Sequence, residues 1–171
     1  MPSGRTHDQI TLGMLPGVAI VTLVLSRSAS LTLCLSGAFL FSGLMFGPDL
    51  DIYSVQYKRW GWLRVIWLPY RKALHHRSWL SHGPIVGTIL RLLYLGVWLG
   101  LGATLAGILL TQVGGVPVDS QQLLQQAEQY SQQYLPEGLA ILLGLEIGAM
   151  SHSFSDGLSS LYKRTLKRLK P

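Results

Sequence analysis

GPDLD, residues 47–51, places two carboxylates, Asp49 and Asp51, directly after the apolar run of residues 31–46. Burying an unpaired carboxylate costs several kcal/mol, so acids at the mouth of a hydrophobic segment usually meet a cation or a metal ion. Pro48 breaks a regular helix here, which lets the two acids converge. The alternative is a pair of solvated acids at a helix end. The stretch therefore raises the question of which other side chains approach it.

Composition points to lipid as part of the solvent around this chain. Of its 171 residues 49% are hydrophobic and only 13% are charged, and the mean hydropathy is +0.34. Soluble domains usually carry about a quarter charged residues. The length suits one domain, residues 1–171, and no repeat or linker marks a second. The single cysteine, Cys34, excludes a disulfide framework and a thiolate-rich metal site.

Four apolar runs lie along the chain, at residues 10–25, 31–46, 84–110 and 138–150. They predict an all-α, multi-pass membrane bundle of about four transmembrane or membrane-embedded helices. Arg91 interrupts the third run, and we expect its side chain to snorkel to the nearer interface. Two alternatives stay open: the first run resembles a cleavable signal peptide, and the short runs would also suit a soluble helical domain.

The segment over residues 47–83 alternates aromatic rings with lysines and arginines. Beside a membrane this pattern favours an amphipathic segment in the headgroup layer, so membrane lipid is the expected partner. Basic side chains in this protein are confined to a few segments, as topology signals are, and we do not expect nucleic acid as a partner.

Lysines and arginines predict the orientation of the helices. With four crossings and the N-terminus inside, the inner segments hold Arg5, six basic residues between Lys58 and Arg77 and five in the basic tail of residues 157–171, whereas the outer loops hold only Arg27. This asymmetry predicts cytoplasmic N- and C-termini in the plasma, inner or an internal membrane. It also brings every histidine to the cytoplasmic face.

Two further motifs offer metal ligands at that face. His152 and Asp156 are four residues apart, so on a helix they share one face. His75, His76 and His82 supply two or three imidazoles on a turn, and His7 stands at the start of the first helix. Imidazole and carboxylate together suit zinc as the expected ion, with manganese or iron as alternatives. Alone, the pair of His152 and Asp156 would also suit an ordinary surface hydrogen bond. The three histidines from His75 to His82 would also suit interfacial histidines among basic neighbours.

A metal-activated water beside the headgroup layer would hydrolyse a phosphoester, and Arg77, with Lys72 or Arg71, would neutralise the phosphate. Arg77 is therefore the candidate catalytic cation. The alternative is a non-enzymatic membrane protein in which a metal ties helix ends together, or in which the basic aromatic loop recruits a partner. Cation transport is disfavoured because the apolar runs hold no ionisable residue at mid-membrane.

Taken in order, these motifs resemble a known family. An early His, a Pro-Asp-x-Asp, a His-Arg followed by Ser-His and a late Ser-His-x-x-x-Asp are similar to the inner-membrane metal-dependent hydrolases, also described as LexA-binding. They are more similar still to uncharacterised metal-binding membrane proteins common in cyanobacteria. The resemblance implies a site made of His7, Asp49, Asp51, His76, His82, His152 and Asp156. The hydrolases space their paired histidines five apart, whereas His76 and His82 are six apart, so His75 remains an alternative to His76.

A more distant likeness, to zinc-dependent phospholipase C and the related single-strand nucleases, implies one or two ions. By that likeness Asp51, His82, His152 and Asp156 would hold one ion, and His7 with Asp156 a second. The His-x-x-x-Glu of those enzymes has no counterpart in this sequence.

Overall fold

All the regular secondary structure is helical in the part of the chain that the computed structural model describes, residues 4–115 and 119–169 without the side chains of 162–164 and 166–169. No strand occurs within these residues, which confirms the all-α prediction. Two 3₁₀ helices, Pro48–Asp51 and Gly61–Trp67, accompany the α-helices, which are α1 Gly4–Ser26, α2 Ala29–Leu44, α3 Val55–Arg59, α4 Leu68–Ala73, α5 Trp79–His82, α6 Val86–Gln112, α7 Ser120–Gln133 and α8 Leu135–Leu169.

Four helical segments are long and apolar enough to cross a membrane: Gly4–Ser26, Ala29–Asp51, Val86–Gln112 and Leu135–Leu161. This confirms the prediction of about four such helices. Their bounds differ from the apolar runs in two places that matter for the site. Helix α1 begins at Gly4, so His7 lies inside it, and α8 continues from residue 150 to Leu169 because no proline interrupts it. His152 and Asp156 are therefore mid-helix residues.

Small residues bring α2 and α8 into backbone contact. A Cβ added to Gly144 would lie 2.2 Å from the carbonyl oxygen of Leu35, and one added to Gly148 would lie 2.6 Å from that of Phe39. Ser42 donates a hydrogen bond of 2.6 Å from α2 to the Leu145 carbonyl of α8. Close approach through glycine and serine is typical of helix pairs in lipid. It fixes α8, with its histidine and aspartate, against the helix that leads into GPDLD.

The segment over residues 47–83 folds into short helices around a buried aromatic cluster. Trp67, Tyr57 and Tyr70 are at most 3% exposed, so these rings belong to the core. The sequence predicts them in the headgroup layer, because the alternation of rings and cations does not distinguish a ring that packs on Phe46, as Trp67 does, from one that faces lipid. Trp62, in contrast, is 82% exposed.

Arg59 joins this segment to α1 through Asp8. Its Nη1 donates a hydrogen bond of 2.8 Å to Asp8 Oδ1, and this pairing raises the pKa of Arg59 above its usual value. The cations of the basic tail, Lys163, Arg164, Lys167, Arg168 and Lys170, lie outside the described side chains.

Arg91 does not snorkel, which corrects the sequence expectation. It is 1% exposed, and its guanidinium donates to the Ser81 carbonyl at 2.9 Å and to Thr88 Oγ1 at 3.0 Å. The carbonyls at the end of short helix α5 have no partner within that helix, and the arginine satisfies one of them. Glu146 of α8 accepts a hydrogen bond of 2.8 Å from the Ile85 amide at the start of α6, so it serves as a contact between helices.

Candidate metal centre

Four separate parts of the chain bring histidines and aspartates together at one end of the bundle. Helix α1 supplies His7, and α8 supplies His152 and Asp156 from one face, as their spacing of four predicts. The 3₁₀ helix Pro48–Asp51 supplies both aspartates of GPDLD. The remaining imidazoles come from α5 and the turn before it.

The ligand atoms form two groups. In the first, His7, His152 and Asp156 are all buried, and in the second, Asp49, His76 and His82 are half-buried; within each group the candidate ligand atoms lie within 4.8 Å of one another. His7 Nε2 lies 3.2 Å from Asp156 Oδ1, and the rings of His7 and His152 stack at 3.8 Å. Three ligands of this kind are the number that a catalytic zinc site uses while keeping one position open.

Asp49 lies between the two groups. Its Oδ2 is 3.3 Å from His152 Nε2 of the first group, and its Oδ1 is 3.8 Å from His82 Nε2 of the second. The arrangement differs from the one that the phospholipase likeness implied, in which Asp156 would be shared by two ions and Asp51 would join His152. The difference arises in the 3₁₀ helix after Pro48, which turns Asp49, and not Asp51, towards α8.

Asp51 is fully buried and approaches the opposite side of the imidazoles. Its Oδ1 lies 3.0 Å from His76 Nδ1 and its Oδ2 lies 3.7 Å from His82 Nδ1. It belongs to neither group of three ligand atoms found among the described residues.

The structure distinguishes His75 from His76. His75 is exposed, whereas His76 contacts Asp51 and packs edge-on against His82 with ring centroids 5.1 Å apart. The spacing of six is accommodated because the chain turns between Arg77, which has a positive φ of 62°, and helix α5.

The clustered carboxylate and imidazole atoms suit a divalent cation. Among the described residues, several buried nitrogen and oxygen atoms of these side chains have no hydrogen-bond partner: Asp49 Oδ1, Asp51 Oδ2, His76 Nε2, His82 Nε2, both ring nitrogens of His152, and Asp156 Oδ1. A buried polar atom without a partner costs about 1–3 kcal/mol. Ions held by the two groups would satisfy the carboxylate oxygens and imidazole nitrogens that belong to those groups.

Arg77 stands at the open side of the centre. Its Nη2 lies 3.3 Å from Asp156 Oδ2, and its side chain is 44% exposed. A cavity of about 220 Å³ opens here, lined by Arg77, His82, Ser153, Asp156, Gly157 and Ser160. The cavity therefore offers a cation and the edge of both ligand groups to a small molecule from outside.

Sequence reasoning missed two serines that contact the imidazoles. Ser155 Oγ lies 2.9 Å from His7 Nδ1, and Ser81 Oγ lies 2.8 Å from His82 Nδ1. Ser155 stands inside the Ser-His-x-x-x-Asp motif, three residues after His152, and this one-turn spacing was the signal available for it.

Comparison with known proteins agrees with a metal-related role. A family model described as uncharacterized metal-binding protein (DUF2227) matches residues 2–166. An uncharacterized protein from Aquifex aeolicus (strain VF5) is 28% identical over 129 residues, which is 74% of this chain and 89% of that protein. No solved structure matches the chain.

Proposed function

The chain belongs to the family of uncharacterized metal-binding proteins (DUF2227), and we propose that its clustered histidines and aspartates hold one or two divalent ions for the hydrolysis of a phosphoester. His7, His152 and Asp156 would hold one ion, and Asp49, His76 and His82 the other, with Asp49 available to both. Zinc is the expected ion, and manganese or iron would also suit these ligands. A bound ion of this kind lowers the pKa of water and polarises a phosphoryl oxygen.

The observation that carries the proposal is the set of buried, unpartnered carboxylate and imidazole atoms at one end of the bundle. An ordinary polar core pairs such atoms with one another or with the backbone. Here there are two groups of three side chains, and within each group the ligand atoms lie within 4.8 Å of one another. Bringing so many acceptors together without a cation would be unfavourable.

Arg77 supplies the substrate preference. Its guanidinium has five N–H donors in a planar fork, and the nitrogen facing Asp156 uses one side of it. Arg77 also lines the 220 Å³ cavity, where its guanidinium would bind a phosphate oxygen and neutralise its charge. Asp156 keeps Arg77 oriented towards the ligand groups.

We place this reaction at the cytoplasmic membrane face. The support is the distribution of lysines and arginines, which are numerous in residues 58–77 and rare in the loops at the other end. Trp62 and Trp79, 82% and 66% exposed, stand on the same segment as these cations. Such residues favour the headgroup layer, so a substrate at the lipid surface would meet the cavity directly.

A non-enzymatic role is the second candidate, because the ligands come from four separate parts of the chain. A metal ion would then tie α1, α8 and the segment between α2 and α6 together without turnover. The two candidates differ in what a ligand substitution does: it abolishes folding if the metal is structural, and it leaves a folded, inactive protein if the metal serves catalysis.

The test is elemental analysis of the detergent-purified full chain, comparing wild type with Asp49→Ala, His152→Ala and His75→Ala. We expect one or two ions per chain in wild type and in His75→Ala, whose exposed imidazole is the matched control, and loss of metal in the other two while they remain folded. Wild type without stoichiometric metal after reconstitution would refute the proposal.

A second measurement separates hydrolysis from a structural role. Arg77→Ala should retain its metal and lose turnover of a phosphodiester substrate that wild type hydrolyses. Metal-loaded wild type that hydrolyses no phosphomonoester or phosphodiester, combined with unfolding of the ligand variants, would support the structural role instead.

A further inference from the structure

The two aspartates of GPDLD lie close to different nitrogens of the imidazole rings. Asp49 lies near Nε2 of His82 and Nε2 of His152, at 3.8 and 3.3 Å. Asp51 lies near Nδ1 of His76 and Nδ1 of His82, at 3.0 and 3.7 Å. The acids are two residues apart in sequence, yet Asp49 lies on the Nε2 side of the rings that it contacts and Asp51 on the Nδ1 side.

We propose that Asp51 and Ser155 are positioning residues, which hold the Nδ1–H groups of His76 and His7 so that each ring presents its Nε2 as a ligand atom. The inference deepens the proposed metal centre and rests on it. It removes Asp51 from the direct ligands that the sequence resemblance implied and leaves Asp49 as the metal-binding acid of the pair.

The tautomer of His7 follows from the hydrogen bonds of Ser155. The Ser155 Oγ lies 2.8 Å from the His152 carbonyl, which can only accept, so the single hydroxyl hydrogen is donated there. The same Oγ lies 2.9 Å from His7 Nδ1, and with its hydrogen on the carbonyl it accepts from Nδ1. A neutral His7 therefore carries its proton on Nδ1 and has a bare Nε2.

That bare Nε2 faces a second acceptor. His7 Nε2 and Asp156 Oδ1 are 3.2 Å apart, and two lone-pair atoms at this distance repel each other unless a cation is bound beside them. Both atoms belong to the first ligand group. The hydroxyl of Ser155 thus presents the imidazole in the form that a metal ion requires.

The tautomer of His76 follows from Asp51 in the same way. An ionised carboxylate only accepts, so the 3.0 Å contact with Oδ1 assigns the proton to His76 Nδ1. His76 Nε2 has no hydrogen-bond partner among the described residues and is left for the ion. A carboxylate behind a ligating imidazole also raises its basicity.

The first test compares the zinc affinities of acid variants of the full chain in detergent. Asp51→Ala should weaken zinc binding by about 10- to 100-fold, and Asp51→Asn should recover most of the loss because its amide oxygen still accepts from His76 Nδ1. Asp49→Asn should bind zinc as poorly as Asp49→Ala, since a neutral amide is a poor substitute for a ligating carboxylate. Asp51→Asn as defective as Asp49→Asn would overturn the assignment of Asp51.

The second test reads the tautomers directly in the zinc-loaded protein. Long-range ¹H–¹⁵N spectra of histidine-labelled chain should show His7 with its proton on Nδ1 in wild type, and a mixture of tautomers in Ser155→Ala. Ser151→Ala is the matched control, because Ser151 Oγ donates to the Gly148 carbonyl at 2.9 Å from the same helix without being assigned to an imidazole. His7 protonated on Nε2 in wild type, or unaffected by Ser155→Ala, would overturn the role of Ser155.

The outcomes also separate this inference from the metal centre itself. A wild-type chain that binds no zinc, manganese or iron would refute the metal centre and the positioning roles with it. Zinc binding by wild type together with the wrong tautomers, or with a defective Asp51→Asn, would overturn the positioning roles alone.

Discussion

The two ends of the long helices are built from different interactions. Around the candidate metal centre many buried side chains are polar and lie beside the buried aromatic cluster: His7, Thr11, Asp51, Ser81, Thr88, Arg91, His152, Ser155 and Asp156 are all at most 9% exposed. At the other end, no residue of α6 between positions 96 and 112 is buried, and α7 buries none of its residues. The buried residues of α6, which are Gly87, Thr88 and Arg91, thus lie at its start, near the polar end.

This contrast indicates which interactions hold the helices together. In lipid, apolar side chains gain little by packing on each other, so helices associate through close backbone contact and hydrogen bonds. The polar end provides both, through the glycines of α8 and the network around Arg91 and the aspartates. The far half of α6 has apolar surface that lipid would cover.

The largest effect should come from widening the contact between α2 and α8. Gly144→Leu places a side chain where even a Cβ would lie 2.2 Å from the Leu35 carbonyl oxygen, so backbone must move. We expect little folded, monodisperse protein after detergent extraction, as measured by size-exclusion chromatography.

Gly102→Leu in α6 is the matched control. A Cβ there meets no atom of the described residues within 4 Å, and leaving glycine favours a helix by up to about 1 kcal/mol. Equal damage from both substitutions would show that the two ends are packed alike and would contradict the comparison.

Removal of metal should have the next largest effect and should act at the polar end. At an ion concentration 100-fold above the dissociation constant, binding stabilises the folded state by about 2.7 kcal/mol. A chelator should therefore lower the melting temperature of wild type, and hydrogen exchange should rise at residues 48–51 and 76–82 but not in α7. The Asp49→Ala variant should show no response to the chelator; a uniform rise along the chain would argue against a localised site.

Sequence patterns were sufficient for the helices, because these depend on local composition and spacing. The candidate ligands were predicted from the orientation of the helices and from the family resemblance. His152 and Asp156 share a face of α8 as a spacing of four requires. What the sequence could not provide is the direction of each side chain after a break. The turn after Pro48 decides which acid faces α8, and the turn at Arg77 decides between His75 and His76.

Buried and exposed positions of arginine and tryptophan were also indistinguishable from the sequence. Arg91, in an apolar run, was expected at the interface, but its carbonyl partner belongs to α5, ten residues away. Trp67 and Trp62 stand five residues apart in the same aromatic and basic segment, and one is 0% and the other 82% exposed. Tertiary packing, and not the local sequence pattern, determines which of these side chains are buried.

Loss of the buried guanidinium should have an intermediate effect. Arg91→Leu leaves the Ser81 carbonyl and Thr88 Oγ1 without this donor, and we expect the free energy of unfolding to fall by about 1–3 kcal/mol. Thermal melting followed by tryptophan fluorescence measures the change. Arg64→Leu, at an exposed position of the same protein, should change little; similar losses in both would place Arg91 among ordinary surface cations.

The smallest effect should come from α7 at the far end. Leu124 is 71% exposed on this helix, whose N-terminus is capped by Asp119 through hydrogen bonds of 2.9 and 3.1 Å to the amides of Gln121 and Gln122. Because the helix is held by its own cap and buries no side chain, Leu124→Gln should change the free energy of unfolding by less than about 0.5 kcal/mol. Zinc affinity should also be unchanged. A loss comparable to that of Arg91→Leu would mean that α7 packs on a surface that the isolated chain leaves exposed, and the contrast between the two ends would then describe the single chain and not its assembled form.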